Sequence, residues 1–252
     1  MKTVKEYLKN NTSGEILLEI GCGGGQWSKF ICENIKFKKL FCTDVLSAEH
    51  NDFWNYVGSE NKKNIIYEHV KDFDLEFELN FGNNNATGAD GIVFVMQTVG
   101  IKAIGASGAG IGFEGFSPSF GIEFDTWQNT NFDDMASDHI AMFKNGSVDH
   151  KSSNSLVAAT TAISGGANIE DGKNHLVRIT WDFSNKRIQV YFDCVLRQTA
   201  VIDIQNRIFS GNNLVYWGFT SATGGSNNAH LACLSDDIIV QDTFALCKGE
   251  TV

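Results

Sequence analysis

Six residues in the middle of the chain form a pattern that suits metal binding, and they follow one another as Glu123, Asp125, Trp127, Asn129, Asp134 and His139. The first four occupy alternate positions, so their side chains share one face of a strand end and of the loop beyond it. The oxygen ligands Asp125, Asn129 and Asp134, with one backbone carbonyl, would supply most of a calcium shell. Glu123 and His139, with the same two aspartates, mix carboxylate and imidazole and suit manganese or a similar transition ion. We therefore predict two adjacent metal sites; the alternative is a solvated acidic loop beside a strand that carries a histidine.

The elements that must position these residues are short strands separated by turns. In the segment 73–81 every second residue is apolar and the residues between are acidic or Asn, which is typical of a strand with one buried face. Similar strands are predicted at Gly91–Gln97, Gly121–Trp127, His139–Phe143, His175–Trp181, Arg187–Phe192, Leu214–Thr220 and Leu231–Val240. Clusters of Gly, Asn and Ser separate them, and no amphipathic helix is expected after residue 72. Many short strands joined by turns predict a mainly β fold, an antiparallel sandwich.

The first 71 residues follow a different pattern. A short apolar run, Glu15–Ile20, leads into the glycine cluster 21–25, and a helical pattern and a second strand, Lys39–Val45, come next. A third candidate strand is Asn64–Val70. Strand, helix and strand predict a βαβ unit with a parallel sheet, small, incomplete and Rossmann-like.

The glycine cluster resembles motif I of class I S-adenosylmethionine-dependent methyltransferases. Glycines let the backbone approach a nucleotide-like ligand at a helix N-terminus, and the next strand ends in an acid where such folds bind a ribose. The resemblance implies cofactor contacts at Glu19, Gly21, Gly23, Gly25 and Asp44. A glycine-rich turn in an unrelated α/β unit is the alternative. The pattern stops after about three strands, so we expect a truncated unit without methyl transfer.

The distribution of charge divides the chain near residue 72. Residues 1–71 contain ten Lys and nine acidic residues, a net charge of +1, whereas residues 72–252 contain ten basic and 21 acidic residues, a net charge of −11. Such a shift indicates a domain boundary, so we predict a methyltransferase-like segment at 1–71 and a separate domain at 72–252. The total charge of −10 argues against nucleic-acid binding, which needs clustered Lys and Arg.

The cysteines and the apolar runs limit the other classes of protein. The six cysteines form no CxxC pair, and we expect them to be small buried apolar residues. No signal peptide is visible at the N-terminus, and no apolar run is long enough to span a membrane.

The stretch from Gly121 to His139 resembles the metal signature of legume-type (L-type) lectins, because the spacing Glu-x-Asp-x-aromatic-x-Asn-x4-Asp-x4-His matches without gaps. Other landmarks of that family follow in the same order, at 88–95, 108–112, 171–181 and 217–224. The resemblance covers about residues 72–242. It implies a lectin-like (jelly-roll) sandwich that lacks the strands usually found before segment 73–81.

The resemblance also implies a carbohydrate site, formed by Asp90, Gly108, Ala109, Trp127, Asn129 and Gly225. Asp90, which follows a cis peptide in the family, would accept hydrogen bonds from sugar hydroxyls. Asn129 would donate its amide to the sugar while its oxygen faces calcium. Trp127 would give its backbone carbonyl to calcium and its ring face to the sugar. A backbone N–H at Gly108 or Ala109 would complete the contacts.

The loop 223–228, which contains Gly225, would determine which sugar fits. We therefore expect a non-catalytic lectin with Ca²⁺ and Mn²⁺, or a similar transition ion, as cofactors and glycans or glycoconjugates as partners. The protein could also form homo-oligomers. The alternative is an S-adenosylmethionine-dependent methyltransferase with an appended sugar-binding domain; a third is a remnant too incomplete to bind anything. The resemblance implies a secreted or cell-surface protein, which conflicts with the absence of a visible export signal.

Overall fold

A computed structural model describes residues 16–20, 25–44, 52–69, 72–166, 168–212 and 215–234. The chain divides into two units, Met1–Lys71 and Asp72–Val252, with the boundary where the charge balance changes. Within the described residues no helix is long and apolar enough to cross a membrane.

The first unit contains a three-stranded parallel sheet with strand order β1-β2-β3. Its elements in chain order are β1 (Ile16–Ile20), α1 (Gln26–Asn34), β2 (Lys39–Asp44), α2 (Phe53–Val57), a 3-10 helix (Ser59–Lys63) and β3 (Ile65–His69). Leu40 of β2, with Phe53 and Val57 of α2, forms the centre of a small buried core. A helix between two parallel strands is what the strand–helix–strand pattern indicates; the Rossmann-like class of this unit stays a prediction.

The second unit contains two five-stranded antiparallel sheets, which confirms the mainly β prediction. Its strands are β4 (Phe73–Asn80), β5 (Gly91–Gln97), β6 (Ser119–Asp125), β7 (His139–Lys144), β8 (Ser155–Thr161), β9 (His175–Asp182), β10 (Arg187–Phe192), β11 (Val195–Val201), β12 (Tyr216–Ala222) and β13 (Leu231–Leu234). The helices among the described residues of this unit are short: the 3-10 helices Gly108–Gly110 and Thr130–Phe132, and α3 (Ile204–Arg207). The first sheet has the order β11-β10-β9-β4-β13 and the second the order β12-β5-β6-β7-β8.

The main core lies between the inner faces of these two sheets. Alternate residues of β4 and β6 enter it, among them Phe77 and Leu79 from β4 and Phe120 and Phe124 from β6. Each of these four side chains is at most 1% exposed. Burying one Phe or Leu side chain contributes about 1.5–3 kcal/mol, so the apolar residues at alternate positions of these strands stabilise the sandwich.

A second cluster, the outer cluster, covers the opposite face of β5, β6 and β7, and it consists of Val93, Val95, Ile111, Phe113, Phe116, Ala141, Phe143 and Val148. Phe113 stands directly over Gly121, where an added Cβ would lie 2.7 Å from the ring atom Cζ. The middle strand β6 is therefore buried on both faces. Any polar side chain on its outer face is removed from solvent by this arrangement.

The strand predictions fail at particular places for physical reasons. Strands β8 and β11 were not predicted, because β8 has no buried-exposed alternation and β11 exposes its apolar Val195 and Val201 while burying Gln198. Strand β6 ends at Asp125, so Trp127 lies in the loop rather than in the strand. The end predicted for the last strand, Val240, lies outside the described residues.

Among the four cysteines that the structure describes, the prediction of a small buried residue is confirmed for Cys42 and wrong for Cys32, Cys194 and Cys233. Cys194 is disulfide-bonded, whereas Cys32, Cys42 and Cys233 are not part of a disulfide. Only Cys42 among these three is buried, and it belongs to the core of the first unit.

Candidate functional site

The predicted metal residues lie at one end of the second sheet, where β6 ends and β7 begins. Asp125, the last residue of β6, pairs with His139, the first residue of β7. Phe124 points into the main core, so its neighbours Glu123 and Asp125 point to the opposite face. His139 lies on that same face, because Ala141, two residues further along β7, belongs to the outer cluster. Strand register thus brings two carboxylates and an imidazole together.

Ligand-type atoms from these elements form two overlapping groups. One group contains Glu123, His139 and His150, and the other contains Asp125, Asp134 and His139; the ligand atoms of each group lie within 4.8 Å of one another. The second group joins both aspartates that were predicted to be shared. His150 was not predicted; it lies in the hairpin loop 145–154 between β7 and β8.

The chemistry of Glu123 fits a bound cation. Its side chain is 1% exposed, and no described residue donates a hydrogen bond to either carboxylate oxygen. The nearest nitrogens, Nε2 of His150 and Nε2 of His139, are 3.5 and 3.6 Å from Oε1. A buried carboxylate with unsatisfied oxygens is costly unless a cation or proton compensates it. The donor set of carboxylate and imidazole suits a transition ion.

Electrostatic interactions within the cluster move the pKa values in opposite directions. Burial raises the pKa of Asp125 well above its usual range, and the charges of Glu123 and Asp134 raise it further. Burial alone would also raise the pKa of Glu123, but the two neighbouring imidazoles outweigh burial and lower it. Burial opposes the charged form of His150, yet Asp134 and Glu123 raise its pKa to about 9. A positive charge among these groups relieves the repulsion between carboxylates.

The loop that follows β6 is held by the same aspartates. The backbone N–H of Trp127 donates to Asp125 Oδ1 at 2.6 Å, and the backbone N–H of Asn129 donates to Asp134 Oδ2 at 2.7 Å. The side-chain oxygen of Asn129 is buried, and no described residue donates to it. An oxygen in that position is available to a cation, as predicted for the calcium site. Trp127 is 36% exposed, so part of its side chain faces solvent.

Asp90 lies beside this loop. The Ala89–Asp90 peptide is cis, as the lectin resemblance implies. The Asp90 carbonyl accepts from the Thr126 N–H at 3.1 Å, and the Asp90 N–H donates to the Ala222 carbonyl at 3.2 Å. Its side chain is buried, Oδ2 receives no hydrogen bond from a described residue, and burial raises the pKa of the carboxyl. Asp90 therefore offers a carboxylate oxygen next to the loop that carries Asn129.

Gly224, which lies beside Gly108, approaches this carboxylate. A Cβ added at Gly224 would lie 3.5 Å from Gly108 Cα and 3.9 Å from Asp90 Oδ2. Ala109 follows in the 3-10 helix Gly108–Gly110. Gly225, in contrast, is exposed, and an added Cβ there would meet nothing within 4 Å. The structure thus places Gly108 beside Gly224, which approaches Asp90, and the sugar contacts implied for Gly108, Ala109 and Gly225 stay predictions.

Sequence reasoning missed two further features of this region. Glu170, 3% exposed, accepts a hydrogen bond of 2.8 Å from Asn228 Nδ2, which ties the loop 223–228 to the body of the unit. His150 enters the metal cluster from another loop. The sequence did contain one signal for His150. It follows the strand predicted to begin at His139, and a hairpin after that strand can bring His150 back beside His139. Glu170 gave no such signal, because it lies outside the predicted strands and its partner Asn228 is distant along the chain.

The structure describes only some of the residues that the resemblance implies as S-adenosylmethionine contacts. Gly21 and Gly23 lie outside the described residues. Glu19 lies in β1 and Asp44 is the last residue of β2. Gly25 precedes α1 with φ 84°, and an added Cβ would lie 2.4 Å from a methyl group of Val57. Backbone geometry and close packing account for this glycine without a ligand, and the cofactor site stays a prediction.

A family model and several solved structures are similar to this chain. Residues 54–236 match the family model described as the legume lectin beta-barrel domain. The solved structure of basic winged bean lectin with Tn-antigen is similar, with 22% identity over 64% of this chain and 67% of that chain and a TM-score of 0.48. Peanut lectin with a 9mer peptide has 22% identity over 65% and 68% of the chains and a TM-score of 0.48. The lectin from Bauhinia forficata in complex with GalNAc has 20% identity over 64% and 68% and a TM-score of 0.49. Because the family match covers well over half of its residues, this chain belongs to the legume-type (L-type) lectin domain family.

Proposed function

We propose that the second unit binds carbohydrate at the end of its second sheet, through a loop ordered by metal ions, and that it does so without catalysis. The observation that carries this proposal is the set of buried carboxylate and amide oxygens that receive no hydrogen bond from the described residues: Asp90 Oδ2, Asn129 Oδ1 and both oxygens of Glu123. Buried polar atoms are nearly always satisfied in folded proteins. These atoms surround one loop, so ligands of that loop are the natural partners.

The metal ions would occupy the two overlapping groups. Asp125, Asn129 and Asp134, with the Trp127 carbonyl, would hold calcium, which prefers oxygen ligands. Glu123, Asp125, Asp134 and His139 would hold manganese or a similar transition ion. Bound cations would supply the positive charge that the buried carboxylates need. The chain's own contribution is to fix the loop, since Asp125 and Asp134 already hold two of its backbone N–H groups.

The sugar would bind on the solvent side of this loop. Asp90 would accept hydrogen bonds from hydroxyl groups, and charged acceptors make such bonds strong. Asn129 would donate its amide while its oxygen faces the cation, and Trp127 would offer its ring to the apolar face of a pyranose. A backbone N–H at Gly108 or Ala109 would complete the contacts. The loop 223–228 would then select among sugars.

The roles of the carboxylates support the proposal that this unit is not catalytic. Hydrolysis of a glycoside needs two carboxyl groups on either side of the scissile bond, one of them protonated. Asp125 and Asp134 instead accept hydrogen bonds from loop N–H groups, and Glu123 faces two imidazoles. These contacts suit the holding of ions rather than proton transfer.

A glycan array tests the proposal. The full chain is applied with Ca²⁺ and Mn²⁺, after EDTA, and after the ions are returned. We expect binding that is lost with EDTA and restored by the ions, and that is lost in Asn129→Ala. The matched control is Asn185→Ala, whose side chain bonds Asp182 in a turn instead. Binding that survives exhaustive chelation, or that survives in Asn129→Ala, would contradict the metal-dependent mechanism.

The domain arrangement is part of the same proposal. We infer that residues 72–252 form the lectin domain, which lacks the leading strands of its family, and that residues 1–71 form a separate α/β segment. Calorimetric titration with S-adenosylhomocysteine tests whether the segment binds the cofactor; no heat of binding is expected.

A further inference from the structure

The further inference concerns His150, which faces the predicted transition-metal site from a loop outside the signature. Its Nε2 atom lies 3.0 Å from Asp134 Oδ1, 3.3 Å from His139 Nε2 and 3.5 Å from Glu123 Oε1. The His150 side chain is 8% exposed. Three atoms that commonly bind metals therefore surround one imidazole nitrogen inside the protein.

The hairpin loop is fixed in place at this point. The His150 N–H donates to the Phe132 carbonyl at 3.0 Å, which joins the hairpin to the metal-binding loop. The Phe143 ring packs edge-on against the imidazole, with ring centres 5.1 Å apart and planes at 88°. Val148 of the same loop is buried in the outer cluster. The position of His150 is thus set by packing and backbone hydrogen bonding as well as by its polar contacts.

The orientation of His139 leaves its Nε2 free to act as a ligand. Its Nδ1 lies 3.1 Å from the Ser137 carbonyl, which can only accept, so the proton resides on Nδ1. A hydrogen bond of this kind is the usual support for a metal-binding histidine. The lone pair of Nε2 then points toward Glu123 and His150.

The separations fit one ion bound by three atoms. Glu123 Oε1 and the Nε2 atoms of His139 and His150 are 3.3, 3.5 and 3.6 Å apart. A point equidistant from three atoms with these separations is about 2.0 Å from each, and zinc bonds nitrogen and carboxylate oxygen at about 2.0–2.2 Å. Calcium, at about 2.3–2.6 Å and with oxygen ligands, fits this triangle poorly.

We propose that His150 is a direct ligand of the transition ion and that the triad Glu123, His139 and His150 makes this site prefer a zinc-like ion over manganese. Two imidazoles suit Zn²⁺, Ni²⁺ and Cu²⁺, whereas carboxylate-rich sites suit Mn²⁺. Zn²⁺ also exceeds Mn²⁺ in general affinity for such ligands. The inference rests on the metal part of the proposed function and is independent of the sugar part.

The test measures bound metal rather than sugar binding. The stripped full chain is dialysed against excess Ca²⁺ with equimolar Zn²⁺ and Mn²⁺, and its metal content is measured by mass spectrometry. We expect about one Zn²⁺ per chain and little Mn²⁺. In His150→Gln, Zn²⁺ affinity should fall at least about tenfold, since even loss of supporting contacts around a ligand costs that much. The control His230→Gln removes a histidine that bonds Ser221 instead, and should keep wild-type affinity.

X-ray absorption at the zinc edge of the wild-type chain provides a measurement that does not depend on a variant folding. Two imidazoles around the ion are expected, and one in His150→Gln. A wild-type chain that takes up Mn²⁺ in preference to Zn²⁺, that shows a single imidazole, or that binds neither ion would overturn the proposal. Unchanged Zn²⁺ affinity in His150→Gln would do the same. Loss of sugar binding with normal zinc loading would instead count against the proposed function alone.

Discussion

Replacement of Glu170 by Gln should change how the stability of this protein depends on pH. Glu170 is 3% exposed and accepts a hydrogen bond of 2.8 Å from Asn228. Burial raises its pKa to about 7; the hydrogen bond from Asn228 opposes this shift and the charge of Asp138 adds to it. Gln keeps the size of the side chain and an oxygen that can accept from Asn228, and it removes the buried charge.

The magnitude follows from the linkage between proton binding and folding. The ordinary pKa of Glu is near 4.5, so the folded state binds this proton more tightly than the unfolded state. The stability linked to that proton is present below pH 4.5 and is lost as pH rises through 7. A difference of roughly 2.5 between the two pKa values, at about 1.4 kcal/mol for each pKa unit, gives an upper bound of about 3.5 kcal/mol. Because relaxation of the loop and entry of water reduce this value, we expect Glu170→Gln to gain about 1–3 kcal/mol above pH 7.

Urea unfolding of the full chain, followed by tryptophan fluorescence between pH 4.5 and 8.5, measures the effect. The free energy of unfolding of Glu170→Gln minus that of the wild type should be near zero at pH 4.5 and should rise to its plateau by about pH 8. Other carboxylates titrate in both proteins and cancel in the difference. The matched control is Glu78→Gln, since Glu78 accepts a 2.8 Å hydrogen bond from Asn174 but is exposed. A difference that stays flat with pH, or that is equally large for the control, would refute the reasoning.

Three further substitutions test the packing of the second unit by the same unfolding assay. Gly121→Ala should destabilise it by about 1–3 kcal/mol through overpacking, because the new Cβ would lie 2.7 Å from the Phe113 ring; an unchanged midpoint would contradict this. Gln198→Ala should lower the free energy of unfolding by about 1–3 kcal/mol, because Gln198 donates 2.9 Å hydrogen bonds across to carbonyls of β7 and β8 in the other sheet. A decrease under about 0.5 kcal/mol, which is typical of a surface substitution, would contradict this prediction. Asp74→Ala should lower the free energy of unfolding by about 1–3 kcal/mol, because it removes two hydrogen bonds of 2.8 and 2.6 Å from the largely buried Arg178. A double-mutant cycle with Arg178→Ala should give a coupling energy of similar size, and a coupling energy of zero would contradict the pairing.

Much of the lectin unit could be predicted because its strands carry their own signal. The alternation of β4 reflects one face packed in the core, and the structure buries Phe77 and Leu79 there. The edge strand β11 was harder to predict from the sequence. Strand β11 buries the polar Gln198 and exposes Val195 and Val201, since Gln198 bonds across to the other sheet. Such a strand looks irregular in sequence, because its pattern depends on a partner distant along the chain.

The predicted metal ligands could be identified from the sequence for a related reason. Glu123, Asp125 and His139 lie at fixed positions on two paired strands, so their spacing in sequence is a direct record of their proximity in space. The residues that approach from elsewhere leave no such record. His150 reaches the cluster because the hairpin after β7 folds back, and Gly224 reaches Asp90 because β12 pairs with β5. Which loop glycine faces the site is a matter of loop conformation.

By itself, the sequence determined the class of the second unit and the chemical types at its site, because strand period and metal-ligand spacing are local properties of the chain. The tertiary structure alone decided how many imidazoles face Glu123, which loop is tied down by Glu170, and how deeply Asp90 is buried. These properties depend on contacts between segments far apart in the chain, and burial controls the cost of each charge. The same local spacing can therefore have a different metal preference and a different response to pH, according to what the fold brings against it.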